Sequence, residues 1–109
     1  MSKIIITEEL RNHVNAICAK SKAWADAAPE GEIRGYASYD EDDILFNCDH
    51  YTKGERCLTP AEWDQSQAWE GYYDAYKEEN GISPRWTNWT DHSAEEWNEK
   101  AKTCYYFSA

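Results

Sequence analysis

The fold class rests on how EIRGYASYDEDDILFNCDHY, residues 32–51, is read. The runs on either side of Asp40-Glu41-Asp42-Asp43 lean towards β structure. In the second run Ile44, Phe46 and Cys48 alternate with Leu45, Asn47 and Asp49, the period of a strand with one face covered. A polar tetrapeptide between two such runs has turn composition. The spacing therefore predicts an antiparallel β-hairpin with the acid cluster at its tip.

Upstream, Thr7 followed by Glu8 and Glu9 has the chemistry of a helix start, a hydroxyl cap and carboxylates near the positive end of the dipole. Leu10, Val14, Ile17, Ser21 and Trp24 then share one helical face, and Pro29 and Gly31 set the stop. Ile4 to Ile6 form either a short strand or a segment that docks the helix end. Downstream, Thr59-Pro60-Ala61-Glu62 is a capping box with proline at the first helical position. The helix it opens carries WDQSQAWEGYYDAYKEENG, Trp63 to Gly81, with Gly81 suited to a left-handed C-terminal cap. A second capping box, Ser93-Ala94-Glu95-Glu96, opens a last helix with Trp97, Ala101, Cys104 and Tyr105 on one face. The expected class is α+β: one domain over residues 1–109, an N-terminal helix, the hairpin and two helices, in the order (β)αββαα.

Composition narrows the function. The 109 residues suit one small domain, and six Trp and eight Tyr against two Phe and one Met make large rings with polar tips its main apolar mass. With 21 acidic against 11 basic residues the net charge is −10, which repels nucleic acid and anionic membrane and attracts a basic surface. The charge is concentrated: residues 30–56 and 57–83 carry −5 each, the flanking segments +1 and −1. The N-terminal MSKIIITEEL has neither a secretory apolar region nor a membrane span, so a cytoplasmic location and reduced thiols are expected.

On a helical wheel for residues 60–80, Trp69, Tyr72, Tyr73 and Tyr76 gather on one side and Asp64, Glu70, Asp74 and Glu78 on the other. Trp63 falls among the acids. Glu70, Asp74 and Glu78 are successive i,i+4 neighbours, an arrangement that costs an isolated helix roughly 0.2–0.5 kcal/mol per pair. Their rise of about 6 Å per step is of the order of the phosphate spacing along a nucleic-acid strand. Such a face serves either solubility or recognition of a basic groove. Trp63 likewise has two readings, an exposed interface anchor or a ring packed under the hairpin.

Other constellations are weaker. Asp40 to Asp43 lack the alternate spacing and the glycine of a calcium loop. Cys48, His50 and Cys57 are candidate soft metal ligands, with His13, Cys18, His92 or Cys104 as a fourth, but no paired C-x-x-C accompanies them. Asp91-His92-Ser93 holds three catalytic residue types, yet neighbours in sequence rarely form a relay, and Ser93 suits a helix cap. Trp86 and Trp89 offer rings for stacking on a sugar or for capping the core. No nucleotide-binding or zinc-protease motif occurs, and no cofactor is expected.

In size, charge and aromatic content, though in no motif, the chain is similar to the small acidic proteins with which phages and plasmids block host nucleases, CRISPR complexes or restriction enzymes, or with which bacteria neutralise nuclease toxins. The expected function is thus non-enzymatic: occupation of a basic nucleic-acid-binding surface on a partner protein by Asp40, Glu41, Asp42, Asp43, Trp63, Asp64, Glu70, Asp74 and Glu78. The alternatives are a small-ligand or saccharide-binding module built on Trp86 and Trp89, and a small Cys- or metal-dependent enzyme.

Overall fold

The computed structural model describes residues 4–106, with side chains through residue 103. Four α-helices and one short 3-10 turn make up its regular structure, and no strand occurs among the described residues. This overturns the expected α+β class, and with it the hairpin and the strand at Ile4–Ile6. The chain divides into two compact units, Met1–Pro60 and Ala61–Ala109.

The first unit is built on α1 (Glu8–Asp26) and α2 (Glu41–Thr52), which pack together. Thr7 caps α1 by accepting the Leu10 N–H at 3.1 Å, as its position before two glutamates implies. Leu10 and Val14 are fully buried, and the same stripe opens to solvent by Trp24. The irregular segment that follows is tied back onto α1. Arg34 donates to the Trp24 carbonyl at 3.0 Å with its guanidinium 4.5 Å from the centre of the Trp24 ring, and the Ala37 N–H donates to Ser21 Oγ at 2.7 Å.

α2 stands where the second hairpin strand was expected, and its start explains why. A helix leaves its first N–H groups without partners inside the helix. Asp40 accepts the Asp43 N–H at 2.9 Å, and Asp43 in turn accepts the Asp40 N–H at 3.1 Å, a reciprocal capping box. Glu41, Asp42 and Asp43 all lie in the first turn, where the helix dipole favours negative charge. Asp40 to Asp43 are thus a helix N-terminus, not a hairpin tip. Ile44, Cys48 and Tyr51, spaced by four and three, are buried, whereas Phe46, which a strand would have turned inward with Ile44, is 70% exposed.

α2 ends on Lys53 and Gly54, both at positive φ (57° and 77°). The Thr52 hydroxyl fastens the turn: its oxygen lies 2.7 Å from the Cys48 carbonyl and 2.8 Å from that of Arg56, and accepts the Arg56 N–H at 3.2 Å.

The second unit holds nearly all of α3 (Pro60–Asn80), together with the 3-10 turn η1 (Trp89–Asp91) and α4 (Ala94–Tyr106). α3 begins at Pro60, as the Thr59-Pro60 signal implies, and ends at Gly81, whose φ of 75° and N–H bond to the Lys77 carbonyl at 2.8 Å form the expected left-handed stop. Its aromatic side meets the rest of the unit. Tyr72 lies 5.1 Å from the ring of Trp97 and Tyr76 5.4 Å from that of Trp86, while Trp69 Nε1 donates to Thr87 Oγ1 at 3.0 Å. Gln65 Nε2 donates to the His92 carbonyl at 2.9 Å. Buried Trp97 places its indole N–H on the Trp89 carbonyl at 2.9 Å, so the ring enters the interior without stranding its donor. Ser93 and Glu96 exchange the two bonds of a capping box at the start of α4. Of the face expected on this helix, Trp97 is buried and Ala101 half-buried, while the Cys104 and Tyr105 side chains lie outside the described residues.

Two expectations follow from the caps. Asp40→Ala lowers the unfolding free energy by about 1 kcal/mol in urea titration, with Asp40→Asn close to wild type, because only an acceptor at that position is needed. Glu96 titrates below its ordinary value of 4.5, chiefly because the Ser93 N–H and then its hydroxyl hold the carboxylate. A depressed carboxylate contributes stability that is complete above 4.5 and lost as pH falls through its folded value. Stability measured from pH 6 down to pH 2 should therefore decline less steeply in Glu96→Gln than in the wild type.

Candidate functional site

The acidic residues form two separate sets, one in each unit. In the first unit, Asp40 and Asp43 spend their oxygens on the α2 cap, and Glu41 pairs with Arg11 of α1. That pair raises the Arg11 pKa, first through the hydrogen bond that Arg11 Nε donates to Glu41 and then through the charge of the carboxylate. Asp42 is the member of the cluster with neither a cap bond nor an ion pair among the described residues. The four remain exposed and negative, but three of them already have intramolecular work.

In the second unit, Asp64, Glu70, Asp74 and Glu78 are all exposed on α3. Among the described residues no ion pair reaches Glu70, Asp74 or Glu78, even though Lys77 belongs to the same stretch of helix. Successive members of this row are one turn apart, about 6 Å along the axis. The result is a line of three carboxylates along one helix, with no ion pair among the described residues.

Trp63 does not belong to it. Its ring is 1% exposed, and the next turn is buried as well at Ser66, whose hydroxyl donates to the Trp63 carbonyl at 2.9 Å. The wheel places Trp63 beside Glu70 and Asp74 because it projects all 21 residues of α3 onto one circle. Along the axis, that side of the helix is covered at Trp63 and open from Glu70 onward. The interface-anchor reading of Trp63 is corrected accordingly: the ring is part of the interior.

The other candidates resolve as follows. Cys48 and Cys57 lie together with their sulfurs 3.9 Å apart, but His50 is exposed and stacked along Phe46, with ring centres 6.2 Å apart. Among the described residues no three His, Cys, Asp or Glu side chains converge in a way that could hold a metal ion. Asp91, His92 and Ser93 do not form a relay. Asp91 accepts the Asn88 N–H at 2.9 Å, Ser93 caps α4, and the His92 ring stands edge-on to Trp97 at 4.8 Å. Trp86 is 65% exposed and Trp89 half-buried, and neither lines the cleft of about 420 Å³ formed by Lys77, Gly81, Ile82, Ser83 and Arg85.

Two features escaped the sequence reading: the Arg11–Glu41 pair and the Arg34 guanidinium over Trp24. The first had a signal in Arg11, a basic residue in the first turn of α1. The second depends on how a loop returns to a helix, which no local spacing records.

No helix among the described residues is long and apolar enough to cross a membrane. Compared with known protein families, curated proteins and solved structures, the chain matches none of them.

The burial of Trp63 has a direct consequence. Trp63→Ala removes a large ring from a closed site and should cost roughly 3–5 kcal/mol of stability. Chemical denaturation checks this, and a loss below about 1 kcal/mol would return the residue to the surface.

Proposed function

We propose that this protein is a non-enzymatic binding protein, cytoplasmic in location, whose row of carboxylates on α3 occupies a basic, nucleic-acid-binding surface of a partner protein. Glu70, Asp74 and Glu78 are the central contacts, with Asp64 beside them. Asp40, Glu41, Asp42 and Asp43 form a second acidic element. The action would be of the kind phages and plasmids direct against host nucleases.

The observation that carries this reading is that Glu70, Asp74 and Glu78 are exposed, aligned and without an ion pair among the described residues. Like charges at i,i+4 weaken a helix by roughly 0.2–0.5 kcal/mol per pair, and a lysine at Asp74 would reverse the sign of both contacts. Gly71 is exposed in the same helix, and a Cβ there would meet nothing within 4 Å. Glycine in a helix interior costs about 1 kcal/mol relative to alanine. A helix kept both acidic and glycine-interrupted on an open side forgoes stability that ordinary substitutions would restore. A cationic partner gives that side a use, since complementary charge speeds encounter and fixes register.

The test separates binding from folding. Asp74→Lys should leave stability unchanged or raised by a few tenths of a kcal/mol, while the triple reversal Glu70→Lys, Asp74→Lys, Glu78→Lys abolishes capture of basic nucleic-acid-binding proteins from a host lysate at low salt. Wild-type capture should weaken steeply between low and high salt. Capture that persists in the folded triple variant sinks the proposal.

A further inference from the structure

Cys48 and Cys57 stand on either side of the turn that closes α2. Cys48 is fully buried on the inner side of the helix, and Cys57 is half-buried in the segment that returns past it. Three hydrogen bonds close a ring around the two sulfurs. The Cys48 thiol points at Cys57 Sγ at 3.9 Å, the Cys57 thiol at the Leu58 carbonyl at 3.4 Å, and the Leu58 N–H donates to Cys48 Sγ at 3.3 Å. The backbones are held as well, because the Thr52 hydroxyl donates to the Cys48 carbonyl and accepts the Arg56 N–H. A disulfide needs its sulfurs about 2.05 Å apart, so each has about 1 Å to travel, a distance within the reach of side-chain rotation.

We propose that Cys48 and Cys57 are a reversible dithiol–disulfide pair, a modification site that takes a low-molecular-weight disulfide of the glutathione type as oxidant. Cys57, the more accessible thiol, gives its proton to solvent. Its sulfur attacks one sulfur of glutathione disulfide, forming a Cys57–glutathione mixed disulfide and releasing one glutathione thiolate, which takes up a proton. Cys48 then loses its proton, and its sulfur attacks Cys57 Sγ. The Cys48–Cys57 bond forms and the second glutathione leaves as a thiol. Two protein thiols are oxidised and one small disulfide is reduced to two thiols.

Burial pushes the Cys48 thiol up to about 11, so closure speeds up as pH rises. The bond ties the returning segment to α2 and shortens the free loop of the unfolded chain. This inference concerns the first unit and is independent of the acidic row on α3.

Trypsin cuts after Arg34, Lys53, Arg56 and Lys77, which puts Cys48 in the peptide 35–53 and Cys57 in the peptide 57–77. Wild-type protein is incubated with glutathione disulfide, its remaining thiols are alkylated, and intact mass and tryptic peptides are recorded. The expected product yields the two peptides joined, about 2 Da lighter than the sum of their reduced masses and without glutathione, and returns to separate peptides with dithiothreitol. Its thermal midpoint should exceed that of the reduced form by several degrees. Cys18→Ser should retain the joined peptides, and Cys57→Ser should lose them. Recovery of the two peptides unjoined, whether alkylated or glutathionylated, overturns the proposal, as does linkage of either to the peptide containing Cys18 or Cys104.

Discussion

The first N–H groups of a helix have no partners within it, and at residue 41 this chain supplies them from its own acids. Asp40 and Asp43 exchange bonds across the first turn, and the carboxylates between them sit at the positive end of the dipole. Once that end is satisfied, residues 41–52 proceed as a helix, and much else follows. Ile44, Cys48 and Tyr51 point inward, α2 has a face to lay against α1, and Thr52 lands where its hydroxyl can tie the helix end to Arg56. The Cys48–Cys57 contact exists only because this turn brings the chain back.

The second unit meets a different constraint. With few aliphatic side chains, it builds its contacts from rings whose polar atoms must also find partners. Trp69 and Trp97 each deliver an indole N–H to an oxygen inside the unit, on Thr87 and Trp89. Tyr72 and Tyr76 bridge from α3 to Trp97 and Trp86 through ring contacts. The loop between the helices is therefore held by side chains that also fill the space. The opposite side of α3 is left to Glu70, Asp74 and Glu78, and the charge there is balanced by nothing among the described residues.

How much was legible depended on the range of the interaction. Thr7, Pro60, Gly81 and Ser93 act on backbone groups within four residues of themselves, so the starts of α1, α3 and α4 and the end of α3 were readable from spacing alone. The aromatic side of α3 was readable for the same reason, since a helix once granted has a known period. Residues 44–48 fit two periods at once. Ile44 and Cys48 are consistent with either, and only Phe46 distinguishes them, facing inward in a strand and outward in the helix. The acid cluster has the composition of a turn, although Asp followed by Asp three residues later is also a cap. The cap prevails because it satisfies donors that a hairpin tip leaves to water.

The sequence by itself determined the starts of α1, α3 and α4, the stop of α3 at Gly81, the aromatic side of α3 and the acidic excess, because each depends on residue type and on spacing of a few positions. Tertiary structure alone decided that residues 32–51 pair with no strand, that Trp63 lies inside while Glu70 lies outside, and that two cysteines nine positions apart meet. Those outcomes turn on which stretch of a helix is covered and where a loop returns, and coverage is a property of three dimensions that no projection of one helix contains.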